Sequence, residues 1–192
     1  MGSKIIKQGI VSASGNGVNK NYLKNSNFLQ GTNGFEGYYT NGSVTCIKQV
    51  DCMKVVGGST TSGFYTGNYD SITTGNMATF SAYVRADSSM TIYIGVDGSG
   101  TSNCQSYTIG TNWQLIKISK AKTTDNANLR IYGQGTFYTK FLKYELGSVV
   151  TPWCVNPADS VYVGSGIGLY ETNTFPAKIA NDWIQASSFI EI

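Results

Sequence analysis

The chain has 192 residues, of which 13% are charged, with a formal net charge of +3 and no histidine. That length holds one ordinary domain with a real core plus extensions. The thin positive charge argues against a nucleic-acid surface built on clustered Lys and Arg, and no apolar run is long enough for a membrane-spanning helix. Gly (23 residues) abounds and Tyr (13) outnumbers Phe (8) and Trp (3), a profile of short-side-chain turns between aromatic and β-branched strands. Tyr and Trp also offer flat apolar faces beside a polar group, as a glycan-facing surface does, although any Tyr-rich antiparallel sheet shares this composition.

In chain order, residues 4–13 read as a short apolar strand that ends in Ser-Gly-Asn-Gly. The start carries no apolar signal core, so no Sec export is expected. Strand-like runs then follow at 34–40, 43–49, 52–56 and 63–66. At 78–85, Phe80, Ala82 and Val84 alternate with Thr79, Ser81, Tyr83 and Arg85, which predicts a half-buried strand. Residues 90–96 repeat the pattern, with Met90, Ile92, Ile94 and Val96 inward and Thr91 and Tyr93 outward. A hairpin through Ala86-Asp87-Ser88-Ser89 is expected to join the two. Further strands are predicted at 113–119, 128–133 and 136–146, the last two joined at Gly133-Gln134-Gly135. Residues 141–157 carry a strand with two apolar faces out of its sheet through Gly147, Pro152, Trp153 and Pro157. No window shows a helical apolar stripe, and about eight to ten short strands at this spacing predict an all-β jelly-roll β-sandwich. The expected division is an N-terminal attachment strand and linker at 1–19, the module at 20–158, and a C-terminal attachment or oligomerisation segment at 159–192.

Catalysis finds little support. Without histidine, Ser-His-Asp and Cys-His mechanisms are closed, and no pair of the 11 acidic residues sits in a motif that would position a glycosidase dyad. The glycines at 95, 98 and 100 and at 164, 166 and 168 lack the Lys or the following helix of a phosphate loop. The four cysteines, Cys46, Cys52, Cys104 and Cys154, include no CxxC pair, so zinc is not expected and free thiols are preferred over a Cys46–Cys52 bridge.

Two motifs carry a resemblance. Phe-Leu-Lys-Tyr-Glu-Leu-Gly-Ser-Val-Val-Thr-Pro-Trp at 141–153 resembles the "K-L-E-x-G-S-x-A-T-P-W-x-P" close of carbohydrate-binding modules in bacteriophage tail and baseplate proteins. Asn21-Tyr22-Leu23-Lys24-Asn25-Ser26-Asn27-Phe28, followed by Gly31-Thr32-Asn33-Gly34-Phe35, looks like their "N-L-L-x-N-S-x-F-x-x-G-T-x-G-W" entry, with Phe35 where the family has Trp. Residues 77–85 resemble the family's "x-Y-T-F-S-A-Y-V-K" strand. The match covers roughly residues 20–158. It implies that Phe28 plugs the sandwich and that Gly31 and Gly34 shape the turn. The two ends are similar to those of small Gram-positive phage structural proteins.

The resemblance implies a virion structural protein, assembled in the host cytoplasm and displayed on the virion surface, where it attaches to host-envelope saccharide. The alternative is a capsid or tail decoration protein that stabilises the particle without a glycan ligand. The terminal segments would contact other virion proteins or organise a homotrimer, or else extend the sandwich sheet. Neither nucleic-acid binding nor membrane insertion is expected. The expected carbohydrate face comprises Tyr83, Arg85, Tyr93, Arg130 and Tyr132, unless that face is merely solvated or covered by a neighbouring subunit. Phe64, Tyr65, Tyr69 and Tyr107 form a second group, read as a mobile loop rim. No organic cofactor is expected. Modules of this kind often hold a structural calcium, for which Glu36 and Glu145 are the nearest acids and Asp51 a third; the alternative for Glu145 is a salt bridge with Lys143 or Lys24.

Overall fold

Alternating apolar residues, cut at short intervals by Gly, Asn and Ser, produce ten strands and no helix among the residues that the computed structural model describes, 20–38, 44–96, 103–124 and 128–159. The strands are β1 (Glu36–Tyr38), β2 (Val44–Lys48), β3 (Met53–Gly57), β4 (Gly63–Thr66), β5 (Met77–Ala86), β6 (Met90–Val96), β7 (Cys104–Ile109), β8 (Gln114–Ala121), β9 (Leu129–Gly133) and β10 (Gly135–Leu146). They form two five-stranded antiparallel sheets, ordered β1-β4-β9-β6-β7 and β2-β3-β10-β5-β8. The protein is an all-β jelly-roll β-sandwich, as its sequence pattern predicts. The expectations for residues 4–13 and 160–192 lie outside the described residues.

The core lies between the sheets. Ile92, Ile94, Ile131 and Phe64 come from the first, and Phe80, Val84, Phe137 and Tyr144 from the second, all fully buried. The entry segment contributes Phe28 and Phe35, and the ring centroids of Phe28–Phe35 and Phe35–Phe64 stand 5.1 and 5.7 Å apart. Phe28 therefore plugs the sandwich as its motif implies. Gly31 and Gly34 take φ of 64° and 80°, which side-chain-bearing residues rarely adopt.

Two expectations about local structure change. The segment 86–89 does not close a hairpin: β5 pairs with β8 and β10, whereas β6 pairs with β7 and β9, so the chain crosses there from one sheet to the other. The Gly133-Gln134-Gly135 link makes the same crossing between β9 and β10. The two apolar faces read in 141–146 come from a bulge. Register against β5 shifts between Lys140 and Lys143, and Phe141 takes φ 53°. Phe137 and Thr139 point inward before the bulge, Leu142 and Tyr144 after it, and Phe141 is left on the outer surface.

The entry and exit motifs are tied to each other. The Asn21 amide donates to the carbonyls of Leu142 (3.0 Å) and Cys154 (2.8 Å), while its oxygen accepts the Leu23 and Tyr144 N–H groups at 3.0 and 3.1 Å. The Asp159 carboxylate accepts the Asn25 N–H at 2.8 and 2.9 Å, and Asn25 braces the turn through the carbonyls of Gly31 and Asn33. The exit loop is held by a buried ion pair. Lys143 Nζ lies 3.1 Å from Glu145 Oε2 and donates to Pro152 O at 2.8 Å and to the Thr151 hydroxyl. Glu145 accepts the Thr151 N–H at 3.0 Å and its O–H, and the Trp153 indole donates to Leu142 O at 3.1 Å. The Lys-x-Glu…Thr-Pro-Trp spacing is thus a clamp: two residues on one strand face grip the loop that follows.

All four cysteines are free thiols, and Cys46 stands opposite Val55, not Cys52. Burial pushes every one of these thiols up, Cys46 to about 11, so they behave as small apolar groups.

Candidate functional site

The outer face of the first sheet gathers the aromatic and charged residues that β4, β6 and β9 turn away from the core. One cross-strand row runs Glu36, Tyr65, Arg130, Gly95, Cys104. The next runs Gly63, Tyr132, Tyr93, Ser106. Strict alternation explains the placement: Phe64, Leu129, Ile131, Ile92 and Ile94 fill the core, so their neighbours face out.

Arg130 forms the floor of this face and is only 1% exposed; Tyr132 is 2% exposed. Gly95 makes room for the arginine, because a Cβ there would stand 3.0 Å from Arg130 Nε and 2.5 Å from Cys104 Sγ. The guanidinium lies 5.9 Å from the Tyr132 ring centroid. Burial raises the Cys104 thiol despite the opposing effect of the Arg130 charge. Tyr65 and Tyr93 are half-buried around this floor, and the Tyr65 hydroxyl donates to the exposed Glu36 carboxylate. Flat rings beside a carboxylate and hydroxyls, set over a buried guanidinium, make a surface able to stack a sugar ring and bond its hydroxyl groups.

Of the five sequence-predicted carbohydrate residues, Tyr93, Arg130 and Tyr132 share this face. Tyr83 and Arg85 do not. They lie on β5, on the outside of the opposite sheet, because β5 and β6 belong to different sheets. There the Arg85 guanidinium sits 3.9 Å from the Tyr138 ring centroid and 5.4 Å from that of Trp113, and Tyr83 stands 6.1 Å from Phe141.

The predicted calcium pair is not assembled. Glu36 sits on the first sheet and Glu145 on the second, where Lys143 and Thr151 engage its oxygens, as the salt-bridge alternative held. Asp51 lies in the β2–β3 turn, 3.2 Å from Lys140 Nζ. Among the described residues no group of three or more His, Cys, Asp or Glu could hold a metal ion.

The mobile-rim reading of Phe64, Tyr65, Tyr69 and Tyr107 is corrected. Phe64 is in the core, Tyr65 is on the candidate face, Tyr69 packs edge-on against Tyr144 at 5.1 Å, and Tyr107 lies within β7 and donates to Lys117 O at 2.7 Å. Tyr65, named in that second group as a rim residue, belongs instead with Tyr93, Arg130 and Tyr132 on the face of the first sheet. Its signal was present: a strand at 63–66 with Phe64 inward must turn Tyr65 outward.

No protein-family model matches the chain, and no curated protein matches its sequence. Solved structures do share its fold. BiXyn10A CBM1 in its apo form is 17% identical, with a TM-score of 0.50 over 66% of this chain and 98% of that one. A structure described as CBM4 structure and function is 14% identical, with a TM-score of 0.50 over 65% and 99% of the two chains. The enzymatically active domain of bacteriophage CBA120 tailspike protein 4 is 11% identical, with a TM-score of 0.51; the match spans 66% of this chain but only 21% of that one.

Proposed function

We propose that this protein is a non-catalytic carbohydrate-binding module whose ligand face is the outer surface of β1-β4-β9-β6-β7. The observation that carries the reading is the side-by-side placement of Tyr65, Tyr93 and Tyr132 around the Arg130 floor, with Glu36 at its edge. Tyr65 and Tyr93 would stack on pyranose faces, and the exposed Glu36 carboxylate and Ser106 hydroxyl would bond the sugar hydroxyls, while the buried Arg130 braces the rings from below. The fold neighbours named as carbohydrate-binding modules support this class of ligand.

The finer setting is a bacteriophage virion, with the module displayed on the particle surface to engage host-envelope saccharide, and the terminal segments attaching it to other virion proteins or to a homotrimer. Support comes from the paired entry and exit motifs, now seen to be one hydrogen-bonded unit. A phage tailspike that shares the fold is in keeping with it.

Binding to a glycan array or to host cell wall tests the ligand. Tyr65→Ala and Tyr93→Ala should each weaken retention about tenfold, and unchanged retention in both would refute the face. Particles lacking the protein test the setting: failed adsorption supports attachment, whereas normal adsorption with loss of heat stability makes it a decoration protein.

A further inference from the structure

The outer face of the second sheet is built differently from the proposed sugar face. Three rings meet there beside the exit loop, with Phe141 6.1 Å from Tyr83 and 5.0 Å from Trp153. With Leu115 and Pro152 they line a groove of about 260 Å³. Tyr83 and Phe141 remain 38% and 40% exposed. Phe141 holds φ 53°, a conformation unfavourable for a bulky residue, and the bulge that imposes it delivers the ring outward between the other two. A core requirement would not explain this, since the ring packs outside the core.

The groove is flanked by cations. Lys140 Nζ stands 4.3 Å from the Trp113 ring centroid and 5.2 Å from that of Phe141. Arg85 lies between Trp113 and Tyr138, Lys54 stands 6.0 Å from the Tyr138 ring, and Lys117 is exposed on the row beside Tyr83 and Leu115. Against Lys54, Arg85, Lys117 and Lys140 stand the carboxylates of Asp51 and Asp87, while Lys143 and Glu145 neutralise each other beneath the loop. The face is aromatic with a surplus of positive charge.

We infer that this face is a second binding surface, selective for an acidic saccharide chain whose sugar rings stack on Phe141 and Trp153 and whose uronate or phosphate groups meet Lys140, Lys117 and Arg85. Aromatic rings flanked by cations suit alternating apolar ring faces and anions better than a neutral glycan. The inference is independent of the proposed first site, since the two faces lie on opposite sides of the sandwich.

Trp113 and Trp153 make the test selective, because the described residues of the first sheet contain no tryptophan. A full-length Trp183→Phe background removes the remaining indole. Its fluorescence is titrated with polygalacturonate, poly(glycerol phosphate), neutral dextran and poly-uridylate. Saturable quenching or shift with either acidic saccharide polymer, weakened as NaCl rises from about 50 to about 500 mM, supports the inference. The better polymer distinguishes uronate from phosphate as the recognised anion. Phe141→Ala should weaken that binding about tenfold and Tyr93→Ala should leave it unchanged. Lys117→Glu, at an exposed site that folding does not use, should weaken it as well. Equal binding of dextran, tighter binding of poly-uridylate, indifference to both Phe141→Ala and Lys117→Glu, or silence with both acidic polymers would each overturn the proposal.

Discussion

Glu145→Gln isolates the clamp on the exit loop. Both Lys143 and Glu145 side chains are 1% exposed, and the amide keeps the shape and can still accept the Thr151 N–H. What it removes is the negative charge beside Lys143 Nζ, leaving an ammonium with only the Thr151 hydroxyl and the Pro152 carbonyl. Breaking one side of a buried pair costs about 3–5 kcal/mol, because the partner stays desolvated without compensation. At about 2–4 °C per kcal/mol for a domain of this size, Tm should fall by roughly 6–20 °C. Lys143→Met combined with Glu145→Gln removes both charges and should recover about 2 kcal/mol or more of the summed single losses. Urea denaturation followed by circular dichroism gives the free energies, and the emission of Trp153, read with Trp113→Phe and Trp183→Phe in the background, reports whether the loop has let go of Leu142. The reasoning fails if Glu145→Gln lies within about 0.5 kcal/mol of wild type, or if the double variant loses the full sum of the singles.

Gly95→Ala should displace Arg130, since its Cβ would meet both Nε and Cys104 Sγ at less than normal contact; glycan retention should fall about tenfold or more with a stability loss of about 1–3 kcal/mol, measured on cell-wall beads and by urea titration. Asp70 is a pH probe: burial would raise its carboxyl, but hydrogen bonds and charge from Lys20, with bonds from Asn156 and Lys24, hold it below the ordinary 3.8. A depressed carboxyl stabilises the fold above the unfolded value and loses that contribution as pH falls through the folded one. The stability gap between wild type and Asp70→Asn should therefore be full at neutral pH and close as pH drops below 3.8.

Much of the architecture was legible because it is local. Alternation at 78–85 and 90–96 marks two strands, and both exist with the predicted inward residues. The Asn and Gly residues of the entry motif mark a turn, and Asn25, Gly31 and Gly34 all adopt positive φ there. β7 escaped because Cys-Gln-Ser-Tyr-Thr-Ile is an edge strand in which only Ile109 is fully withdrawn from solvent, so no alternation shows. The assignment of strands to sheets escaped for a different reason. A short link such as 87–89 satisfies a hairpin and a crossing equally well, and only the distant partners β8, β9 and β10 decide between them. That single ambiguity put Tyr83 and Arg85 on the same face as Tyr93, although the strands that carry all three were read correctly. Arg130 was rightly turned outward, but its burial depends on Gly95, a residue on another strand.

The size of the proposed sugar face has a consequence for how it would act. Tyr65 and Tyr93 provide two half-exposed stacking rings, and the buried Arg130 gives a floor already in position, so little ordering is needed on binding. Two stacks of about 0.5–1.5 kcal/mol beyond their buried area, with a few sugar hydroxyl bonds that each replace a bond to water, amount to about 4–5 kcal/mol. That corresponds to a Kd of about 1 mM for one copy and one short oligosaccharide. Such a site serves adhesion only when repeated, since tethering copies to one surface can raise avidity by about 10²–10⁴ without a new contact. A protein arrayed on a particle meets that condition, and a solitary one does not. Calorimetry of the free protein with a short oligosaccharide should therefore give a near-millimolar Kd, and the same protein coupled densely to beads should hold the polymer about 10²–10⁴ more tightly. A micromolar Kd from a single copy would contradict the two-ring reading and require contacts beyond Tyr65 and Tyr93.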